Sequence, residues 1–189
     1  MYHIKQDKRS QESARLITEG LAECMKDKDF ERITITDVQK ASTVGRATFY
    51  RLFDSLPDVL SYQCDKIFDE LLEKEIPGCS DVSEGVFRSL KFWISHADLL
   101  ETIVKSSHLE ILYQSHEKHA ESLQNGIFSD SSRTEKGKRY LTGMLTSVMI
   151  GVLTVWIQNG REETADDLYE ILIGISATLT GSKLNERQK

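Results

Sequence analysis

The residues whose types and spacing point to chemistry form one run, Arg46-Ala47-Thr48-Phe49-Tyr50-Arg51, cationic and aromatic with no acid in it. Its chemistry is recognition rather than bond making. An arginine donates twice to the O6 and N7 of guanine, and a threonine meets a thymine methyl group or a phosphate. A tyrosine hydroxyl donates to phosphate. Residues 38–53 hold three cations (Lys40, Arg46 and Arg51) and no anion, so the run sits in a locally basic stretch. Such a face meets a phosphate backbone even on a module without excess charge.

Three short helices must position these side chains. Thr34-x-x-Asp37 reads as a capping box that starts one helix, with Ile35, Val38 and Ala41 on one face. Residues 42–45, Ser-Thr-Val-Gly, break it, and residues 46–53 read as the next. Phe49 and Phe53 lie four apart and face inward, with Leu52 partly so. That leaves Arg46, Ala47, Thr48, Tyr50 and Arg51 outward. Ser55-x-Pro57-Asp58 starts a third, longer helix. A first helix that buttresses a second, whose N-terminal residues enter the major groove, is the helix-turn-helix arrangement.

The whole chain supports an all-α protein. It has 189 residues, 39% hydrophobic and 29% charged, and two prolines, both at expected helix boundaries. The net charge of −6 argues weakly against nucleic acid, but its distribution reverses that. Residues 1–60 hold ten Lys/Arg and ten Asp/Glu, so residues 61–189 carry the whole excess. Cys24, Cys64 and Cys79 show no C-x-x-C spacing, which fits reduced thiols and a cytoplasmic protein, and the first residues show no apolar export signal. Residues 140–158 are uncharged, but small and polar residues recur in them, which reads as a buried helix rather than a membrane span.

About nine helices are expected. The first covers roughly residues 6–26, with Lys5, Lys8 and Arg9 preceding or opening it. Asp81-x-x-Glu84, Ser95-x-x-Asp98, Ser107-x-x-Glu110 and Thr164-x-x-Asp167 read as further caps. Residues 125–134 read as a polar loop, Asn159-Gly160 as a helix end, and residues 182–189 as a frayed tail.

Residues 33–60 resemble the N-terminal helix-turn-helix of TetR-family transcriptional regulators. The resemblance rests on Thr34-x-x-Asp37-Val38, on Val44-Gly45-Arg46-Ala47-Thr48-Phe49-Tyr50-Arg51-x-Phe53, and on Ser55-x-x-Asp58-Val59-Leu60. It extends over about residues 8–60. Trp156-x-x-Asn159-Gly160-Arg161-x-x-Thr164-x-x-Asp167 also resembles the end of the C-terminal domain in part of the family. The resemblance implies a DNA-binding domain over residues 1–54 and a helical effector-binding and dimerisation domain over 55–189, with the fourth helix as connector. It implies backbone contacts from Thr34, Thr36, Tyr50 and Arg51, and base reading by Arg46, Ala47 and Thr48. The sequence departs from the family pattern at four positions. Thr43 stands where the turn commonly has glycine, and Gly45 replaces a frequent serine cap. Leu52 stands where histidine is frequent and Leu56 where a phosphate-binding lysine is frequent, so the resemblance does not extend to those two contacts.

Small residues recur every four positions at Gly143, Ser147 and Gly151, and Gly174 and Thr178 follow on the last helix, spacings that let helices approach closely. With Ile171 and Ile175 they are the candidate dimer interface; the resemblance implies a two-fold four-helix contact and a homodimer on a palindromic operator. Phe92, Trp93, Tyr113, His116, Tyr140, Met144 and Trp156 are candidate pocket residues for a small-molecule effector. No cofactor or metal is expected, although His116-x-x-His119 has helical metal-ligand spacing. No nucleophile elbow, phosphate loop or dinucleotide-binding glycine motif appears, so an enzyme is not expected. The expected function is a repressor released from its operator by a small molecule. The alternative is a regulator-like protein that works through another protein, with little DNA contact.

Overall fold

The computed structural model describes residues 1–127 and 134–180, with 178–180 described by backbone alone. Its helices are α1 (Lys8–Met25), α2 (Ile35–Ser42), α3 (Arg46–Leu52), α4 (Leu56–Lys74), α5 (Val82–Ser95), α6 (Ala97–Lys105), α7 (Glu110–Ile127), α8 (Glu135–Gln158) and α9 (Ala165–Thr180). A 3-10 turn spans Phe30–Arg32, and an isolated antiparallel bridge pairs Tyr2 with Phe53. The chain is all-α among the described residues, as its periodicity predicts.

Local side chains set most helix starts. Asp7 accepts from the Ser10 N–H at the head of α1, and Asp81 from the Glu84 N–H at the head of α5. Thr34 and Asp37 form the full capping box of α2, and Thr164 and Asp167 repeat it at α9. Each bond satisfies a backbone donor that the helix itself leaves open. Two expected caps do not form. Ser95 is the last residue of α5 and donates its hydroxyl to the Phe92 carbonyl at 2.6 Å. Ser107 takes a left-handed φ of 58° after α6, and α7 starts only at Glu110. In both places the residue completes the preceding helix instead of opening the next, a competition that spacing does not resolve.

The expected loop at 125–134 begins later than its composition suggests. Asn125, Gly126 and Ile127 finish α7, and Gly126 is needed there because a side chain would run into Ile76. Residues 128–133 lie outside the described residues, as do Gly181 and the tail at 182–189. At the end of α8, Gly160 has a φ of 86° and the Arg161 N–H reaches back to the Trp156 carbonyl, a glycine-terminated helix end.

Two compact units emerge: residues 1–70 with 101–119, and residues 71–100 with 120–189. In the first, α1 packs on α2 and α3. Ala14, Ile17 and Leu21 of α1 are buried, as are Val38 of α2 and Phe49 and Leu52 of α3. Gly20 allows this approach: a Cβ there would stand 2.7 Å from the Ser42 Cβ and 2.8 Å from its amide nitrogen. In the second unit, α5 packs on α9 and α8.

The turn between α2 and α3 carries the strain that a threonine brings to it. Thr43 has φ 58° and ψ 11°, the left-handed region that β-branched residues avoid. Thr43 is exposed, so its methyl group gains little packing in return. Thr43→Gly is expected to raise stability by about 1 kcal/mol in denaturant unfolding. A fall in stability would show that the turn depends on the threonine side chain.

Candidate nucleic-acid interface

The site rests on α3, a helix of two turns, roughly 10 Å long at 1.5 Å per residue. Phe49 and Leu52 anchor its inner face, and Phe53, just past its end, is buried too. The Phe49 and Phe53 rings pack with centroids 5.9 Å apart. Leu52 is buried completely, not partly as the helical spacing suggests, because the bridge from Tyr2 and the His3 N–H cover this end of α3. Leu56 is buried as well. Both residues are core, which accounts for apolar side chains at these two positions.

The opposite face of α3 is solvent-exposed at Arg46, Ala47, Tyr50 and Arg51, with Thr48 half-buried between them. The guanidinium of Arg46 lies 5.4 Å from the Tyr50 ring centroid and its Nη2 donates to the Tyr50 hydroxyl at 3.4 Å. The Tyr50 ring in turn meets Phe49 edge-on at 5.6 Å. The two outward side chains are thus tied to each other and, through Phe49, to the core. Gly45 caps α3 in an extended conformation without a side-chain bond, so the Thr48 and Phe49 amides bond its carbonyl instead.

At the start of α2, Thr34 and Thr36 play different parts. The Thr34 hydroxyl and amide both donate to Asp37 Oδ2, at 2.7 and 2.9 Å. Lys28 Nζ donates to the other Asp37 oxygen at 2.9 Å. The Thr34 hydroxyl, the Lys28 ammonium and the Thr34 amide hold the Asp37 carboxyl well below the usual carboxylate range. Thr34 therefore builds the cap, while Thr36 presents its side chain to solvent. Lys40, Lys5, Lys8 and Arg9 are exposed cations of the same unit.

A family model described as a TetR-type transcriptional regulator C-terminal region matches residues 80–177, more than half of the chain. The chain belongs to the TetR family of transcriptional regulators. The crystal structure of a TetR transcriptional regulator from Streptococcus agalactiae 2603V is similar in fold. The match covers 87% of this chain and 93% of that one, with a TM-score of 0.58 and 21% identity. No curated protein shows a significant match to this chain. The match at 80–177 falls outside the helix-turn-helix, so the motif at 33–60 and the family model point to one family from separate parts of the chain.

In this TetR-family chain the seven pocket candidates divide between the units. Tyr113 and His116 belong to the first; Phe92, Trp93, Tyr140, Met144 and Trp156 belong to the second. Phe92, Trp93 and Trp156 are buried, and the Trp156 indole N–H donates to the Glu163 carbonyl at 3.0 Å. Tyr140 and Met144 are 73% and 56% exposed and Tyr113 is 46% exposed. An open cleft of about 510 Å³ in the first unit is lined by Tyr2, Asp58, Asp65, Ser115 and Lys118 among others, and by none of the seven. His116 is pushed down to about 4, first by burial and then by His119 nearby. His119 is itself engaged: Nδ1 lies 2.6 Å from the Ser115 carbonyl and Nε2 lies 3.2 Å from Asp69 Oδ1. Its ring stacks on Phe68 at 5.3 Å. Among the described residues no three His, Cys, Asp or Glu side chains converge as metal ligands.

The dimer candidates on α8 and α9 are mostly exposed. Gly143, Ser147 and Gly151 of α8 are exposed, as are Ile171 and Ile175 of α9, with Gly174 half-buried; the side chain of Thr178 lies outside the described residues. Val148 and Val155 extend the apolar exposure along α8. α8 is long and apolar enough to cross a membrane, and only 33% of its most apolar window is buried. The buried-helix reading of residues 140–158 holds for one side only in the single chain: the Tyr140, Met144, Val148 and Val155 side is open.

Proposed function

We propose that this TetR-family chain is a homodimeric repressor that reads a palindromic operator through α3 and leaves it when a small molecule binds residues 55–189. Residues 1–54 are the DNA-binding domain in this reading. The observation that carries it is the division of α3: Phe49 and Leu52 locked in the core, Arg46, Ala47, Tyr50 and Arg51 outside, and Arg46 held on Tyr50. A base-reading arginine acts from a rigid helix whose other face has no freedom to rotate. Arg46, Ala47 and Thr48 meet base edges. Thr34, Thr36, Tyr50 and Arg51 meet phosphates, and Thr34 also keeps the head of α2 in shape.

Two-fold symmetry in the protein mirrors that of the operator. Gly143, Ser147, Gly151, Gly174 and Thr178, with Ile171 and Ile175, form the dimer interface, covering the side of α8 that the single chain leaves open. A helix so apolar needs either a membrane or another protein surface, and the family is one of soluble regulators, which also fits a cytoplasmic location. The effector pocket centres on the buried aromatic residues Phe92, Trp93 and Trp156, with Tyr113, His116, Tyr140 and Met144 as further candidates. The effector acts by binding the DNA-incompetent arrangement more tightly than the competent one.

The test is a gel-shift titration with the DNA upstream of its own reading frame. Arg46→Ala is expected to weaken binding by about 1–3 kcal/mol, roughly 5- to 150-fold, while leaving the melting temperature unchanged. Equal binding by the variant overturns the assignment of Arg46. The buried Leu52 and Leu56 offer no phosphate contact, which favours a second reading: a co-regulator that works through a protein partner. Absence of any salt-dependent DNA binding by the wild-type dimer would support that one.

A further inference from the structure

The N-terminal residues are tied to the end of α3 in a way that no sequence spacing shows. Tyr2 pairs with Phe53 in the isolated bridge, and the His3 N–H donates at 2.8 Å to the carbonyl of Leu52, the last residue of α3. Carbonyls in the last turn of a helix lack partners inside it, and this bond satisfies one of them. The Tyr2 ring meets Tyr62 of α4 edge-on at 5.3 Å, and Tyr62 meets Phe53 at 5.9 Å. With Phe49 and Tyr50, these rings make an unbroken line from Tyr2 to the outward face of α3.

The far end of the Tyr2 ring is held by charge. Its hydroxyl donates to Asp65 of α4 and accepts from the ammonium of Lys118 of α7 at 2.7 Å. Lys118 also donates to Asp65 at 2.5 Å, Ser115 donates to the other Asp65 oxygen, and the Lys118 ammonium stands 5.3 Å from the Tyr2 ring centroid. Asp65 is only 8% exposed, so its charge is tolerated only while these partners stay in place. Burial pushes its carboxyl up, but the hydrogen bonds from Lys118, Ser115 and Tyr2 outweigh burial and bring it below the usual range. The cluster thus fixes Tyr2 to two helices at one end and to the close of α3 at the other.

We propose that Tyr2 is a positioning residue for α3, held by Asp65 and Lys118, and that it sets the pose of the reading helix against α4 and α7. Its consequence for DNA binding rests on the proposed reading of α3; the mechanical link itself does not. Within this unit Tyr2 thereby joins the close of α3 to both α4 and α7.

The test is hydrogen exchange by mass spectrometry on the full chain, with gel shifts on the DNA upstream of its reading frame. The proteins are wild type, Tyr2→Phe, Lys118→Met, the double variant, and Lys105→Met as a surface ion-pair control. Tyr2→Phe keeps the ring contacts and the bridge and removes only the hydroxyl. Each single variant is expected to speed exchange of the α3 amides about tenfold, with α8 and α9 unchanged. The double variant is expected to exceed neither single by much, because both act through one contact. DNA affinity should fall in the same order, and Lys105→Met should match wild type. Unchanged α3 exchange in Tyr2→Phe and Lys118→Met, or effects that simply add, overturns the proposal. A purely structural role would lower the melting temperature and loosen the whole unit alike, which also overturns it. If α3 loosens as expected while even wild type ignores DNA, the link stands and the operator-reading function falls.

Discussion

Phe49→Ala is expected to destabilise the chain by about 3–5 kcal/mol, measured by denaturant unfolding, and to abolish ordered structure in residues 1–70 first. Phe49 is fully buried and its ring contacts both Phe53 and Tyr50. Truncation removes the transfer free energy of the ring and leaves a cavity at the centre of a small core. α3 has only seven residues and no side-chain cap, so little within the helix itself offsets the loss. Its neighbour makes the control. Tyr50→Phe removes a hydroxyl from a half-exposed ring and should move the unfolding midpoint by a few tenths of a kcal/mol at most. On the proposed reading, the same substitution is expected to loosen Arg46 and to lower DNA affinity. Loss of stability at 50 with tolerance at 49 would reverse the assignment of the two faces of α3.

Introducing leucine at Gly143 and Gly151 together is expected to convert a dimer into a monomer of 21.5 kDa in light scattering. A Cβ at either glycine meets nothing within 4 Å in the single chain. Nothing in the protomer therefore requires glycine there, and each one costs its helix about 1 kcal/mol relative to a good helix former. The double variant should accordingly make α8 more helical while it separates the subunits, because a partner helix packed on these positions would meet the new side chains. The opposed signs make the experiment decisive: a variant that stays at twice the chain mass places the interface elsewhere. Asp65 offers a third readout of the folded state. Its carboxyl is depressed, so its stabilisation is complete above the ordinary carboxylate range and is lost as pH falls through the lower folded value. Asp65→Asn should flatten that acid limb.

Much of this was legible in the residues themselves. The caps at Thr34, Asp81 and Thr164 and the inward pair Phe49 and Phe53 appear where spacing places them, and the break expected at 42–45 opens one residue later because Ser42 finishes α2. Thr43, where the family resemblance points to a usual glycine, leaves open a different turn or a strained one, and its left-handed φ decides for the strained turn. The misses have two causes. Ser95 and Ser107 have the cap spacing but serve the helices before them, and Asn125-Gly126 has loop composition but lies in α7 because Ile76 packs against it. At Ser95 and Ser107 one local bond displaces another, and at Gly126 a contact from Ile76, fifty residues away in the chain, outweighs local composition.

What the sequence determines by itself is the set of helices and which face of α3 turns outward. Caps act within three or four residues and an apolar face repeats every 3.6, so both are written in consecutive positions. What only the tertiary structure decides is how distant residues meet. Tyr2 finds Asp65 and Lys118 across 63 and 116 residues of chain, and Gly20 makes room for Ser42. Segment 101–119 joins the N-terminal unit, although chain order places it after α5. Contacts of that kind depend on where the chain returns in space. A carboxylate, a lysine and a tyrosine far apart in sequence carry no mark that they share one buried charge.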